Sequence, residues 1–305
     1  MDSKDIYVLI GVDTETDVGS NTPYYEGVKY GTPKLLDLFE KKNVKATFYV
    51  TGDCVKKNPD MVKRIYDSGN EVGAHSLLHE TVGDPLFALP GDNPLLPHEV
   101  EPRLRMNTEW LEEVTGEKPV SFRSPRLMGS THVINALENL GYTSDASYPM
   151  YYYREQFEPY YPSRDDWTKK GDSTVLEIPN FADMTMESND PGLERDRDQW
   201  PLFRTEGAEA LIQKIDNYLD FCEENGYAKF LCFYIHPWEF HPMKSEYSFG
   251  ETTVIPYEFI TKNCGDFALA EWEKVIDNLL ERNAKFVTAS ETAEMYNKNE
   301  GNNND

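Results

Sequence analysis

The chain has 305 residues, of which 39% are hydrophobic and 13% aromatic, so it can bury a sizeable core and does not have a disordered composition. Its net charge of −24, from 54 Asp and Glu against 30 Lys and Arg, excludes nucleic acid and anionic membranes as expected partners. The N-terminal residues lack the features of a secretory signal, and no stretch reaches the roughly 18 apolar residues of a membrane span, which predicts a cytoplasmic protein.

Short apolar runs alternate with helical patterns along most of the chain. Apolar runs predict strands at residues 6–12, 46–51, 71–74, 121–123, 175–178, 230–235 and 285–288. Amphipathic segments predict helices at residues 32–42, 59–68, 98–115, 131–140, 207–225, 267–283 and 290–296. This alternation predicts a single α/β domain with a parallel sheet, either open and doubly wound or closed into a barrel.

Two segments fall outside this pattern. Residues 143–172 are rich in Tyr, Pro and charge, and we expect a loop insertion that either offers stacking faces to a sugar ring or packs as an aromatic cluster. Residues 297–305, NKNEGNNND, predict a disordered tail. The four cysteines have no metal-site or redox-pair spacing, which predicts free thiols and no disulfide.

Chemically reactive side chains recur where the predicted strands end. Asp13, His75, Arg123 and His236 each close or follow a different apolar run. In a parallel sheet or barrel the carboxyl ends of the strands open on one face, where active sites are built. We therefore expect these four side chains to lie together.

A pair of histidines begins at one of these strand ends. His75 and His79 are four residues apart, a spacing at which two imidazoles on a helical turn chelate one divalent ion. Ser76 stands where the HExxH motif has Glu, which excludes that class of zinc protease. Glu15 shares a strand face with Asp13, so these acids and histidines together predict a metal site.

In their order along the chain, the stretches VDTE, EVGAHSLLH, FRSPR, LCFYIHP and KFVTASETAEMY resemble the motifs of the polysaccharide deacetylases, a carbohydrate esterase family with a nodulation-type deacetylase domain. The sequence is similar in this respect to intracellular members of the family that lack a leader peptide. The resemblance implies a deformed (β/α) barrel of about seven parallel strands over residues 1–296. It also implies one catalytic divalent metal ion, usually zinc, and hydrolysis of an acetamide or similar non-peptide C–N bond.

The resemblance also implies roles for the acids and histidines. His75 and His79 are implied as two metal ligands. The first motif of the family has two acids, which makes Asp13 the catalytic base and Glu15 the third ligand, with Asp17 as the alternative ligand. The family usually has Asp where this chain has Glu15, so the structure has to show whether the longer side chain of Glu15 reaches the ion.

The later motifs imply the remaining roles. Arg123 holds and tunes the base, and His236 is the general acid. Arg126 replaces an aromatic residue of the family and is expected to bind an anionic or polar group of the substrate. Trp238 and Tyr151 are expected to line the pocket, although a packed loop is an equal alternative for Trp238. The fourth motif, an Asp and a Trp, has no clear match in SDASYPMYYY.

These roles predict a metal-dependent hydrolase that removes an N-acetyl group from an amino sugar or saccharide. A ring-opening amidohydrolase acting on allantoin or a cyclic imide is the first alternative, because leaderless members of the family include such enzymes. A catalytically silent carbohydrate-binding protein is the second, because of the Glu at position 15 and the missing fourth motif. The expected partners are a small-molecule or saccharide substrate and, by the resemblance, further copies of the chain in a homo-oligomer.

Overall fold

The computed structural model of the chain describes residues 5–19, 21–88, 93–190 and 192–302. Its strands are β1 (Ile6–Thr14), β2 (Thr47–Val50), β3 (Glu71–Ala74), β4 (Ser121–Phe122), β5 (Ser144–Asp145), β6 (Leu176–Glu177), β7 (Lys229–Ile235), β8 (Tyr247–Phe249), β9 (Thr252–Val254) and β10 (Lys285–Phe286). β8 and β9 form an antiparallel hairpin. The other eight strands belong to one sheet in which every ladder is parallel.

The helices surround this sheet. They are α1 (Thr32–Lys42), α2 (Gly52–Lys57), α3 (Pro59–Asp67), α4 (Pro97–Thr115), α5 (Thr131–Asn139), α6 (Met150–Tyr153), α7 (Leu202–Thr205), α8 (Ala208–Asn225), α9 (Glu258–Thr261), α10 (Asp266–Glu281) and α11 (Ala289–Asn302). Every predicted strand and helix is present, with ends that agree to within two residues except at the end of α11. The elements that the sequence pattern missed are short, because a segment of two to six residues shows no measurable period. Within the described residues, no helix combines the length and apolarity needed to cross a bilayer.

The strands follow the order β6-β5-β4-β3-β2-β1-β7, and β10 pairs beside the start of β1. No ladder among the described residues joins β6 to β7, so the curled sheet forms an open barrel. The amide of Gln199 spans this seam, because its Nε2 donates to the carbonyl oxygens of Phe181 at 3.2 Å and Cys232 at 2.7 Å. The prediction of an α/β fold with a deformed parallel barrel is confirmed.

The two faces of β1 pack in different places, as the alternation of side chains along a strand requires. Val8, Ile10 and Val12 belong to the large hydrophobic core that includes side chains of the surrounding helices. Tyr7 and Leu9 belong to a smaller cluster formed with residues of β6 and β7 inside the barrel. The interior face of β1 therefore points into the barrel and toward its carboxyl-terminal mouth.

Gly11 continues the interior face of β1 after Leu9. A Cβ atom at Gly11 would lie 2.1 Å from Nη1 of Arg123, so only glycine leaves room for this guanidinium inside the barrel. Asp13 and Glu15 occupy the next alternate positions. The strand thus delivers both acids to the mouth of the barrel, directly above a buried cation.

The Tyr-rich segment 143–172 is more ordered than predicted. It contains β5 and α6, and the ring of Tyr148 lies 5.0 Å from that of Tyr153, 5.8 Å from Tyr160 and 5.7 Å from Trp167. The prediction of a loop insertion without regular structure is therefore wrong. A strand of two buried residues and a helix of one turn left no periodic signal, and the tyrosines pack against one another instead.

The structure continues α11 to Asn302, and the disordered tail from residue 297 stays a prediction. Ala289 and Ala293 are buried in the first turns of the helix, and the hydroxyl of Tyr161 donates to Oδ1 of Asn297 at 2.7 Å. These contacts hold the helix beyond the point where its sequence becomes polar. Residues 303–305 lie outside the described residues. All four cysteines are free, as predicted.

A pair of buried acids lies across the β5 and β6 ladder. Asp145 and Glu177 are register partners, and both side chains are inaccessible to solvent. Burial raises the pKa of Asp145 to about 6 and raises the pKa of Glu177 well above its usual value, and the two carboxyl groups hydrogen-bond each other. Oε1 of Glu177 also accepts the N–H groups of Ser147 at 3.0 Å and Tyr148 at 2.8 Å. The pair therefore retains a proton at pH values where exposed acids are ionised.

This proton makes stability depend on pH in a defined direction. Unfolded carboxyl groups ionise near about pH 4, so above that pH the folded state binds more protons, and stability falls as pH rises through the folded pKa values. Glu177→Gln keeps the Oε1 acceptor and removes one charge. We expect its melting temperature to fall less than that of the wild type between about pH 5 and 8.

Thermal denaturation over this pH range measures the effect. The exposed Glu209→Gln is the matched control and should follow the wild-type curve. Parallel curves for Glu177→Gln and the wild type would show that the two acids do not share a proton.

Candidate metal centre and active site

Three buried side chains converge at the mouth of the barrel. Glu15 follows β1, His75 follows β3, and one potential ligand atom from each of these residues and His79 lies within 4.8 Å of the others. Nε2 of His75 is 3.5 Å from Oε2 of Glu15, and Nε2 of His79 contacts the same oxygen. Ligands about 2 Å from a tetrahedral ion lie a little over 3 Å apart, so this spacing suits one shared ion.

A tight turn, rather than a helix, brings the two histidines together. Ser76 (φ 64°) and His79 (φ 59°) adopt the left-handed conformation, which non-glycine residues rarely adopt. The first N–H groups of α2 fix this turn, because Gly52 donates to the carbonyl of Ser76 at 3.1 Å and Asp53 donates to that of Leu77 at 3.0 Å. The expectation of a helical turn is therefore wrong, although the spacing of four residues still brings the imidazoles to one point.

His75 is oriented for ligation by the backbone. Its Nδ1 lies 2.7 Å from the carbonyl oxygen of Arg123, which can only accept, so Nδ1 carries the hydrogen and Nε2 presents a lone pair. Among the described residues, neither His75 Nε2 nor Glu15 Oε1 has a hydrogen-bond partner, although both atoms are buried. Buried polar atoms are almost always satisfied, and a cation would satisfy both of these. Two imidazoles and a carboxylate are a donor set that fits zinc.

The protonation states of the site also suit a metal. Burial opposes ionisation of Glu15, but the neighbouring imidazoles, above all His79, outweigh it and hold the pKa of Glu15 well below its usual value. Burial lowers the pKa of His79, and Arg126 adds to this effect while Glu15 opposes it. The shifts thus favour the carboxylate form of Glu15 and the neutral form of His79, the forms in which both residues bind metals.

Asp13 is held by a fully buried arginine. Arg123 donates from Nη1 to Oδ1 of Asp13 at 2.9 Å, from Nε to the carbonyl of Ala146 at 2.9 Å, and from Nη2 to the carbonyl of Phe233 at 3.2 Å. Its Nη2 also donates to Oδ1 of Asn180 at 3.1 Å. Burial disfavours the charged guanidinium, but the carboxylate of Asp13 more than compensates and raises the pKa of Arg123. Arg123 thus orients the carboxylate of Asp13.

His236 lies at the end of β7, opposite this ion pair. Its Nδ1 is 2.9 Å from Oε1 of Glu239, its Nε2 is 4.0 Å from Oε1 of Glu15, and its ring stacks on Trp238 at 4.8 Å. Burial lowers the pKa of His236, but Glu239 outweighs burial and the net shift is upward. Arg204 is fully buried and pairs with Glu239, which keeps Glu239 charged. The net shift thus favours the protonated form of His236, whose Nε2 faces Glu15.

These groups form the floor of an open pocket. Asp13, Glu15, His79 and His236 lie at its base. Its walls carry aromatic rings and two arginines, which include Tyr151, Trp200, Tyr234, Trp238, Arg126 and Arg195. The pocket is thus lined by aromatic rings and two arginines on its sides and by acids and imidazoles at its base.

The structure brings the residues predicted for the site together, and all three predicted substrate-binding residues, Arg126, Trp238 and Tyr151, line the pocket. Asp17 is not part of the cluster. Its two carboxylate oxygens accept the backbone N–H groups of Glu26 at 3.0 Å and Gly27 at 2.9 Å. Of the two acids considered as the third ligand, Glu15 is therefore the one that lies beside the histidines.

Sequence reasoning missed three groups at this site. Arg195 and Trp200 come from the irregular segment between β6 and α7, which has no period and no motif. The partnership of Glu239 with His236 was also missed, although a Glu three residues after a His and directly behind Pro237 was the available signal. His241 lies outside this set of residues and stacks on Tyr30 with 5.3 Å between the ring centres.

Comparison with known proteins finds a similar family. Residues 20–144 match the family model of the polysaccharide deacetylases. Over 112 residues the chain is 32% identical to the peptidoglycan-N-acetylmuramic acid deacetylase PdaA of Bacillus subtilis, a match that covers 36% of this chain and 39% of PdaA. Residues 20–144 are thus similar to the polysaccharide deacetylases, over less than half of the chain.

Two further similarities are to a second curated protein and to a solved structure. The chain is 28% identical over 183 residues to the peptidoglycan deacetylase of Helicobacter pylori, covering 55% of this chain and 57% of that protein. The chain thus spans less than two thirds of the length of either curated relative. Among solved structures, Puue allantoinase aligns with 96% of this chain and 91% of its own, with a TM-score of 0.63 and 15% identity. That similarity shows a shared fold.

Proposed function

We propose that this chain is a metal-dependent hydrolase that removes an N-acetyl group from an amino sugar. The observation that carries the proposal is the position of the Glu15, His75 and His79 cluster. It lies in one pocket with an acid held by Arg123 and the imidazole of His236 on the other side. The relatives named for peptidoglycan deacetylation support an amino sugar as the substrate.

The metal ion would be held by a carboxylate oxygen of Glu15 and the Nε2 atoms of His75 and His79. Zinc is the ion that this donor set favours. When bound, it supplies Lewis acidity that polarises the acetyl carbonyl and lowers the pKa of water. The buried atoms of the cluster that lack hydrogen-bond partners support this assignment.

Asp13 is the proposed general base. Its Oδ1 accepts from Arg123, which leaves Oδ2 to take the proton of the attacking water. The hydrogen bond from Arg123 fixes the direction of the Asp13 carboxylate. As the water oxygen bonds to the carbonyl carbon, the proton passes to Oδ2.

His236 is the proposed general acid. The hydrogen bond from Nδ1 to Glu239 directs the Nε2–H of His236 toward the pocket. The C–N bond breaks as this proton passes to the leaving nitrogen, so the amine departs neutral rather than as an anion. The rings of Trp238, Trp200 and Tyr151 offer apolar faces on which a sugar ring stacks while this happens.

Product analysis tests the proposed function. The zinc-loaded chain is incubated with oligosaccharides of N-acetylglucosamine and N-acetylmuramic acid, and in parallel with allantoin and a cyclic imide. We expect acetate release from the sugars that stops when a chelator removes the metal. Ring opening without acetate release would support the alternative amidohydrolase, whose fold this chain shares. A chain that binds stoichiometric zinc but forms neither product would be the silent binding protein.

A further inference from the structure

Two arginines in this acidic chain have no carboxylate partner. Nine of the eleven arginines form an ion pair with Asp or Glu, as expected when 54 acids surround 30 basic residues. The exceptions, among the described residues, are Arg126 and Arg195. Both line the pocket that contains the candidate metal centre. The two guanidinium groups that form no direct ion pair with a described Asp or Glu therefore both lie in the wall of this pocket.

Arg195 is held in position by aromatic rings rather than by an acid. Its guanidinium carbon lies 5.4 Å from the ring centre of Trp200 and 5.8 Å from that of Phe87. The carboxylate of Asp198 acts on it from a longer distance, but Oδ2 of Asp198 accepts the hydroxyl of Tyr234. The rings and a side-chain hydrogen bond with Tyr234 fix the guanidinium, and the N–H groups that these contacts do not use can bind an anion.

Arg126 reaches the pocket from a strained turn. It adopts a left-handed backbone conformation (φ 57°), and Nη1 donates to the carbonyl oxygen of His79 at 3.2 Å. This is its only hydrogen bond among the described residues, so most of its donors have no protein partner. A non-glycine residue in this conformation is costly and is typical of functional sites.

The negative charges at the base of the pocket do not serve these arginines. Asp13 is paired with Arg123, and Glu15 contacts imidazoles and the candidate ion position. The pocket walls therefore carry two guanidinium groups that lack a direct ion pair, with the carboxylate of Asp198 acting on Arg195 only from a longer distance, in a protein whose net charge is −24. Such a pocket is electrostatically complementary to an anionic ligand, which the remaining surface would repel.

We propose that Arg126 and Arg195 bind a carboxylate of the substrate, so that the preferred amino sugar is an acidic one. The inference rests on the proposed function for the amino sugar and goes beyond it in naming the acidic group. A planar guanidinium binds a carboxylate through two parallel hydrogen bonds, which gives both affinity and orientation. The carboxylate thus positions the sugar, and the acetamido group lies over the metal centre.

Two sugars that differ by one carboxylate-bearing substituent test the inference. N-acetylmuramic acid carries a lactyl group that N-acetylglucosamine lacks. We expect the wild-type chain to bind the acidic sugar about tenfold to a hundredfold more tightly. Titration followed by tryptophan fluorescence measures this without turnover, because Trp200 and Trp238 line the pocket.

Arg195 is the residue to change, because Arg126 contacts the backbone of His79 and its loss would disturb the metal centre. Arg195→Gln should remove most of the preference for the acidic sugar, and Arg195→Lys should keep part of it. Arg154→Gln is the matched control, because Arg154 pairs with Glu194 outside the pocket. This control should retain the wild-type preference.

Equal binding of the two sugars by the wild type, or binding of neither, would overturn the inference, and so would a full preference in Arg195→Gln. The proposed function is judged separately by acetate release. A chain that prefers the acidic sugar but releases no acetate would refute deacetylation and leave the anion site standing. A chain that deacetylates both sugars equally would refute the anion site alone.

Discussion

Asp13→Asn should lower kcat for acetate release by about a hundredfold to ten-thousandfold, the range that a general base contributes. Asparagine has nearly the same shape as aspartate, and its Oδ1 can still accept from Nη1 of Arg123. It cannot take a proton from water. The substitution therefore removes the base while the fold and the Glu15, His75 and His79 cluster stay intact.

Steady-state kinetics and metal analysis on the same preparation check this result. The metal content of Asp13→Asn should equal that of the wild type, and its KM should change little. Asp37→Asn, a substitution of an exposed acid, serves as the control and should leave both quantities unchanged. If Asp13→Asn turned over at the wild-type rate, a different group would have to accept the proton.

His75→Ala should abolish stoichiometric zinc binding and with it the activity. One of three ligands is lost, and the remaining pair, Glu15 and His79, leaves the ion under-coordinated. A readout other than activity follows from mass action. A ligand at about a hundred times its Kd stabilises the folded state by about 2.7 kcal/mol, so added zinc should raise the melting temperature of the wild type but not that of His75→Ala.

Asp17→Asn provides the contrast for the ligand assignment. The carboxylate of Asp17 binds two backbone N–H groups and lies outside the cluster, so this variant should keep its metal. Loss of zinc from Asp17→Asn together with retention in Glu15→Gln would reverse the assignment of the third ligand. Calorimetric zinc titration of the three variants distinguishes these outcomes.

The strand ends were predictable from sequence because the chemistry there follows apolar runs directly. Asp13, His75, Arg123 and His236 interrupt or end buried strands, and a parallel sheet places all such ends at one mouth. The choice between Glu15 and Asp17 was not predictable. Both acids fall on the alternate positions that face the barrel interior along β1. However, β1 ends at Thr14 and the chain then turns, so the carboxylate of Asp17 binds the backbone N–H groups of Glu26 and Gly27 instead.

The part of the pocket wall that Arg195 and Trp200 form was harder to predict, for a physical reason. Arg195 and Trp200 lie in an irregular segment whose position depends on long-range contacts such as the bond from Trp200 Nε1 to Oε1 of Glu239 at 3.0 Å. Local sequence holds no record of such contacts. The same applies to β5, whose two residues form a strand because β4 and β6 lie on either side of it.

The amide of Gln199 gives the barrel seam a further meaning. The residues proposed for chemistry sit on strand ends, whereas Arg195 and Trp200 belong to the irregular segment that Gln199 attaches to β7. The residues proposed for chemistry and those proposed for substrate binding thus occupy separate stretches of the chain, which Gln199 helps to join across the seam. Evolution can therefore replace this segment to admit a different sugar while the hydrolytic machinery stays unchanged.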